Sequence, residues 1–361
     1  MCRRGRRALR SVALLALAAA CGPASAPAAP AAPQASAPAP AAGAPAAASQ
    51  ATAATATAPA APPELVPARV AYAGSASMLV LWATYEGGYF AQRGLRVDDL
   101  QAVSASTTAA QALVAGELDF GAIGGDSPAQ VNLSAGRPEL VMVANTSPTI
   151  GFFVYLRPEY ATLEEVRGKV LGANRPGTNT NFAANRFLRD HGWAAGRDIQ
   201  LLPVGTAPAI LQTMELDQAQ AGMLTTPTTL QARRLGMKEL ADLRSIPYLT
   251  QGPVIRRALL QENRELVRRY LQATLDAIAR VREDKAFAKQ AYGKWANLDD
   301  DEALEEMYRV YRPDEIPWVT REGAVSILED AVERYPQAAT ADPTSLYDNS
   351  VLEELTGRRA P

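Results

Sequence analysis

From about residue 67 onward the chain alternates between two spacings of apolar residues. Short apolar runs at 69–73, 118–123, 140–144, 170–173, 199–204 and 219–224 read as strands. Helical periodicity between them predicts helices over 78–92, 107–115, 180–190 and 207–216. Alternation of this kind builds βαβ units, hence an α/β fold of largely parallel sheets flanked by helices. The units are too numerous for one small sheet, so two lobes are expected. The last third differs: 263–283, 301–310 and 322–334 carry helical spacing, with Leu266, Tyr270, Leu271, Thr274 and Leu275 on one face. These helices are expected to form a C-terminal extension that caps a lobe.

The N-terminal part follows another pattern. Arg3, Arg4, Arg6, Arg7 and Arg10 precede the apolar run from Ser11 to Ala20, about half the length of a bilayer span. This is the layout of a secretory signal. Leu17-Ala18-Ala19-Ala20-Cys21-Gly22 resembles the lipobox of bacterial lipoproteins, with alanine where leucine is usual. The resemblance implies a signal peptide over 1–21, lipidation of Cys21 and a membrane-anchored exported protein, in the periplasm or on the outer face of the cytoplasmic membrane. Residues 22–66 are mostly Ala, Pro, Ser and Thr and lack enough large apolar side chains to offset ordering, so a disordered tether is expected.

Charge and cysteine usage narrow the function. Without the five signal arginines the chain keeps 31 basic against 38 acidic residues, a formal charge of −7, opposite to that of a nucleic-acid binder. Cys2 and Cys21 are the two cysteines, so no internal disulfide is expected after processing.

Several segments, in order, resemble the type II periplasmic binding proteins of the nitrate/sulfonate/taurine group, the SsuA/THI5-like family. The first is Gly74-Ser75-Ala76-Ser77 after the opening strand, and the second is Glu86-Gly87-Gly88-Tyr89-Phe90-Ala91-Gln92-Arg93-Gly94-Leu95. The third is Ala110-Gln111-Ala112-Leu113-Val114-Ala115-Gly116-Glu117-Leu118-Asp119-Phe120-Gly121, and the fourth is Leu163-Glu164-Glu165-Val166-Arg167-Gly168-Lys169-Val170, which leads into Gly177-Thr178. The resemblance implies two lobes joined by two crossing segments, near 153–156 and 244–248. Lobe one is then 67–155 plus 248–361, and lobe two is 156–247. It also implies a small-molecule ligand held between the lobes, a membrane ABC permease as partner, no cofactor, and a monomer.

Loops at the ends of parallel strands, with the helix N-termini that follow, form a polar cradle of unpaired N–H groups. On the first lobe the residues there are Ser75, Ser77, Ser104, Ser106, Thr107, Asp126 and Ser127. On the second they are Asn174, Arg175, Gly177, Thr178, Asn179, Thr180, Thr206, Thr225 and Thr226. Each is also a favoured cap or turn residue. Together at one edge they predict a binding cleft. Trp82, near the binding end of its helix, is a candidate aromatic wall. Asp126 suits an amine, whereas Arg175 and the N–H groups suit an anion or a neutral oxygenated molecule.

Catalytic readings find little support. Gly172 and Gly177 have phosphate-loop spacing, but Thr178 stands where the essential lysine belongs. Gly125-Asp126-Ser127 needs a histidine base, and the one histidine, His191, reads as a helix C-terminus. The cysteine-rich segment of a pyrimidine-synthase relative is missing, and no paired His or Cys ligands offer a zinc site. The acidic run 299–302 opens a helix and lacks EF-hand spacing. The expectation is a non-enzymatic solute receptor, with an enzyme on the same scaffold or a ligand-sensing lipoprotein as the alternatives.

Overall fold

The computed structural model describes residues 64–74, 77–175 and 178–361; the signal, Cys21 and residues 22–63 of the tether lie outside them, as do Ser75 and Gly177. Among the described residues no helix is long and apolar enough to cross a membrane.

In chain order the first elements are β1 (Val66–Pro67), β2 (Val70–Ala73), α1 (Leu79–Glu86), α2 (Tyr89–Gln92), β3 (Leu95–Arg96) and β4 (Leu100–Val103). Next come α3 (Ser106–Ala115), β5 (Phe120–Ile123), α4 (Asp126–Ala135), β6 (Leu140–Met142), β7 (Ser147–Thr149) and β8 (Phe153–Leu156). The middle holds β9 (Val170–Ala173), α5 (Asn179–Asp190), β10 (Gln200–Pro203), α6 (Ala207–Glu215), β11 (Ala221–Leu224), α7 (Thr228–Arg234), β12 (Lys238–Asp242) and β13 (Pro247–Arg256). The rest is helical: α8 (Leu259–Glu262), α9 (Arg264–Glu283), α10 (Lys285–Ala296), α11 (Asp301–Tyr311), α12 (Arg321–Ala331) and α13 (Ser350–Thr356).

Two larger sheets result, with strand orders β4-β2-β5-β13-β6 and β10-β9-β11-β8-β12. They share one plan. In each sheet the first βαβ strand lies between the second and the third, and one antiparallel strand separates the third from the fourth. That antiparallel strand is β13 in the first sheet and β8 in the second. Segment 153–156, predicted as a crossing, is thus a strand of the second sheet. The chain passes between the sheets just outside it, where the two passages bond to each other: Leu243 N–H donates to Phe152 O at 3.0 Å and Ile150 N–H to Ile246 O at 3.4 Å.

Local chemistry explains the helix ends. Thr178, Thr206, Asn263, Asp284, Asp300 and Thr320 accept backbone N–H bonds at the starts of α5, α6, α9, α10, α11 and α12. The helix predicted over 78–92 is broken at Gly88, whose φ of 67° ends α1 and opens α2.

The C-terminal helices α9 and α10 pack on α1, and α12 packs on β13 and α4, all belonging to the first sheet. Phe120 of that sheet stacks on Tyr270 of α9 with ring centroids 3.9 Å apart. α11 docks on α10 and also reaches α7 of the second sheet through side-chain bonds.

Candidate functional site

The predicted polar residues follow strands of both sheets and take up different duties. Ser77 is half-buried before α1, and its hydroxyl donates to Gln251 Oε1 at 3.4 Å. Gln251, which the sequence reading missed, is 5 % exposed on β13 and its Nε2 has no hydrogen-bond partner. It sits in a strand interrupted by Gly252 and Pro253, where no periodic signal marks it. Ser104 is exposed ahead of α3; Ser106 is half-buried in the first turn and Thr107 is exposed, while Ala105 takes the cap position. Ser127 is buried in α4 and its Oγ has no partner.

On the second sheet Asn174 is half-buried and its Oδ1 accepts from Arg175 N–H at 2.7 Å, while Arg175 itself is exposed. The Thr178 hydroxyl donates to Arg175 O at 2.8 Å and accepts from Asn181 N–H at 3.3 Å, so it is a cap with its bonds already placed. Asn179 is half-buried and Thr180 is buried. Thr206 is exposed and caps α6, and Thr225 is half-buried.

Two candidates lie in the interior. Trp82 is 1 % exposed, stacked on Trp295 at 6.0 Å and tilted on Tyr292 at 5.2 Å. It is a core residue, because α10, which carries no clear signal in the sequence, closes over the face of α1 that was assigned to the cleft. Thr226 is likewise 1 % exposed, with its Oγ1 3.3 Å from that of Thr229. Burial has turned this loop residue into a support for α7.

A cavity of about 960 Å³ lies between α5 and β10 on one side and α12 on the other. Asn174, Asn181, Asn185 and Arg189 line one wall, and Glu329, Asp330, Glu333 and Arg334 the other. Of the predicted site residues only Asn174 lines it; Ser77 borders a different, much smaller cavity, and Thr107 and Ser127 line a groove between α3 and α4. The structure therefore does not bring the described candidates to a single cavity wall.

Electrostatics concentrate where α4, β13 and α12 meet. Burial raises the Asp126 carboxyl above its ordinary range, against the opposing pull of its own N–H, that of Ser127, and Arg334. Burial also lifts Asp330 to about 6, with Arg334 opposing and the Asp126 carboxylate reinforcing the shift. The Tyr248 hydroxyl donates to Asp330 Oδ2 at 3.3 Å, and Glu333 adds a further like charge. A carboxyl whose folded pKa is raised binds its proton better in the native state, so stability falls as pH rises from about 4 to about 6. Asp330→Asn is expected to match the parent in urea unfolding near pH 4 and to exceed it by about 1–2 kcal/mol at pH 7, after allowance for solvent screening. A constant difference at both pH values would refute this.

His191 closes α5, with its Nδ1 2.8 Å from Phe187 O and its ring packed on Phe187 at 4.4 Å. Because Ser127 Oγ has no hydrogen-bond partner, the two residues form no dyad. Among the described residues no group of three His, Cys, Asp or Glu side chains is arranged to hold a metal ion.

Known structures share this architecture. The periplasmic nitrate-binding protein NrtA from Synechocystis PCC 6803 superimposes with a TM-score of 0.63 at 14 % identity, over 82 % of this chain and 89 % of its own. The periplasmic aliphatic sulphonate-binding protein SsuA from Escherichia coli gives 0.63 at 16 % identity over 80 % and 92 %. The alkanesulfonate-binding protein SsuA from Xanthomonas axonopodis pv. citri, bound to MOPS, gives 0.59 at 17 % over 81 % and 99 %. At such identities the likeness concerns the fold, which is that of the periplasmic binding proteins. No curated protein matches the chain significantly. The NMT1-like family model matches residues 61–295, and the chain therefore belongs to the NMT1-like family, with the type II periplasmic-binding-protein fold of its SsuA-like neighbours.

Proposed function

We propose that the protein is an exported solute receptor, tethered to a membrane through a lipid on Cys21, that captures a small polar molecule between its two sheets and hands it to an ABC permease. The observation that carries this reading is the pair of like-ordered sheets, each with one antiparallel strand beside a chain crossing, in a member of the NMT1-like family. In this reading loops from both halves face one edge, and the halves approach or separate about the two short passages. A ligand that touches both halves shifts the balance toward the closed form, which a permease then recognises. The receptor acts as a monomer and needs no cofactor.

The cavity carries Asn174, Asn181, Asn185 and Arg189 on one wall and Glu329, Asp330, Glu333 and Arg334 on the other, and Asp126 couples electrostatically to Asp330. Nitrate, alkanesulfonates and small amines form the panel to test by isothermal titration, with small-angle scattering on the same samples. Saturable binding of one class with a decrease in radius of gyration is expected. No binding across an enlarged panel of small polar molecules would overturn the receptor reading. Asp126→Asn then separates the ligand charges: an amine ligand loses at least about tenfold in affinity, whereas an anion binds equally or more tightly.

A further inference from the structure

A cluster of charged hydrogen bonds between α7 and α11 links the two halves of the molecule. α7 connects β11 to β12 of the second sheet, whereas α11 rests on α10, which packs on α1 of the first. Arg233 of α7 forks onto Glu306 of α11: Nη1 donates to Oε1 at 3.1 Å and Nη2 to Oε2. The same Nη1 donates to the Tyr155 hydroxyl at 3.0 Å, and that hydroxyl donates to Glu239 Oε2 at 3.0 Å. Thr229 Oγ1 gives Glu306 a further donor at 2.9 Å. Beside this cluster Arg234 donates to Asp300 at 3.0 Å and to Glu302 at 2.6 Å.

We propose that Glu306 is the pivot of an electrostatic latch that holds the second half of the molecule against the C-terminal helices and sets how far the two halves separate when no ligand is bound. Three observations distinguish it from an ordinary surface pair. Glu306 is 6 % exposed, so parting the helices strands a buried carboxylate unless water enters at the same moment. The fork from Arg233 is bidentate, which fixes the relative direction of α7 and α11 as well as their spacing. Thr229 also lies 3.3 Å from Thr226, so the chain of polar contacts continues into the buried β11–α7 loop.

Neighbouring groups agree with this role. Burial raises the Tyr155 hydroxyl to about 12, so it stays protonated and keeps donating to Glu239 at ordinary pH. Val310 of α11 packs against the apolar cluster containing Phe153, Tyr155, Ile210 and Leu211, so the latched contact has an apolar side too. The bridge from Arg186 of α5 to Glu329 of α12, at 3.4 Å with side chains 32 % and 48 % exposed, is the kind of pair that contributes little by itself.

The latch reaches beyond the receptor reading, and its test uses no ligand. In the full chain carrying Cys2→Ser and Cys21→Ser, spin labels at Val114→Cys on α3 and Leu216→Cys at the end of α6 report the distance between the halves; both positions are exposed, at 46 % and 60 %. In ligand-free protein Glu306→Gln is expected to raise the population with separated halves about tenfold or more, as a changed and broadened distance distribution. Arg233→Gln should do the same, and the exchange Glu306→Arg with Arg233→Glu should restore much of the parent distribution. If Glu306→Gln has a native circular dichroism spectrum and the parent distribution, the proposal is wrong. If that variant does not fold, Arg233→Gln decides by the same readout, because its side chain is 40 % exposed.

Discussion

Trp82→Ala is expected to cost about 3–5 kcal/mol of folding stability, read as a lower urea midpoint. The indole is the centre of an aromatic cluster that joins α1 to α10: Tyr72 meets it edge-on at 6.0 Å, Trp295 lies parallel to it, and Tyr292 is tilted on it at 5.2 Å. Removing it leaves a cavity that three rings, one on β2 and two on α10, fill only in part, so the loss combines transfer and cavity terms. Trp82→Phe keeps much of the ring area and should cost about half as much. If Trp82→Ala instead kept the parent midpoint while abolishing ligand binding, the residue would be a cleft wall and the packing account would be wrong.

Gly252→Ala is expected to be nearly as damaging, by about 3 kcal/mol or more, although it adds a single methyl group. A Cβ at this position would sit 1.9 Å from Ala144 O and 3.0 Å from Ala144 C. Both are backbone atoms, so no rotamer change relieves the clash. The strand must move away from the segment after β6, which breaks bonds such as Val143 N–H to Pro253 O at 2.9 Å. Neighbouring Gln251 would move with it, so altered binding is expected together with the stability loss. Gly136→Ala is the comparison: its φ of 67° is strained for alanine, but nothing lies within 4 Å of the added carbon, and a loss of about 1 kcal/mol is expected. Equal midpoints for the two variants would refute the close-approach argument.

Much of the fold is legible in local pattern. The strand expected over 170–173 has those bounds in the structure, and the strands expected to end at 73, 123 and 224 end there. The helices predicted over 107–115, 180–190 and 207–216 differ by a residue at an end, since their caps and apolar faces are local features. β13 carries no strand signal in the sequence, because Pro247, Gly252 and Pro253 break its alternation and its pairing partners β5, β6 and β7 are distant in sequence. α10 is equally silent in the sequence: Gly293 weakens its helical signal, yet glycine is needed there, since a Cβ would lie 2.7 Å from Leu298 O.

The candidate site was less legible than the fold. Hydroxyl and amide residues at strand ends are favoured both by ligands and by helix caps, and only three-dimensional placement separates the two uses. Thr178 and Thr206 are caps, whereas Asn174 lies on a cavity wall. Thr226 and Trp82, which look alike as edge residues in the sequence, are interior because of elements far along the chain.

By itself the sequence determined the alternation of strands and helices, the two-lobed α/β class and the family, because these rest on periodicity, turn residues and motif order within short windows. The expectation of an exported, tethered chain rests on the lipobox resemblance at 17–22 and on the Ala/Pro-rich composition that follows, and both lie outside the described residues. Only the tertiary structure decided that β13 crosses back to complete the first sheet, that Trp82 is covered, and that Glu306 meets Arg233 across 73 positions of chain. Such pairings depend on which surfaces remain unburied once the local elements have formed. They have no signature in either partner's own neighbourhood.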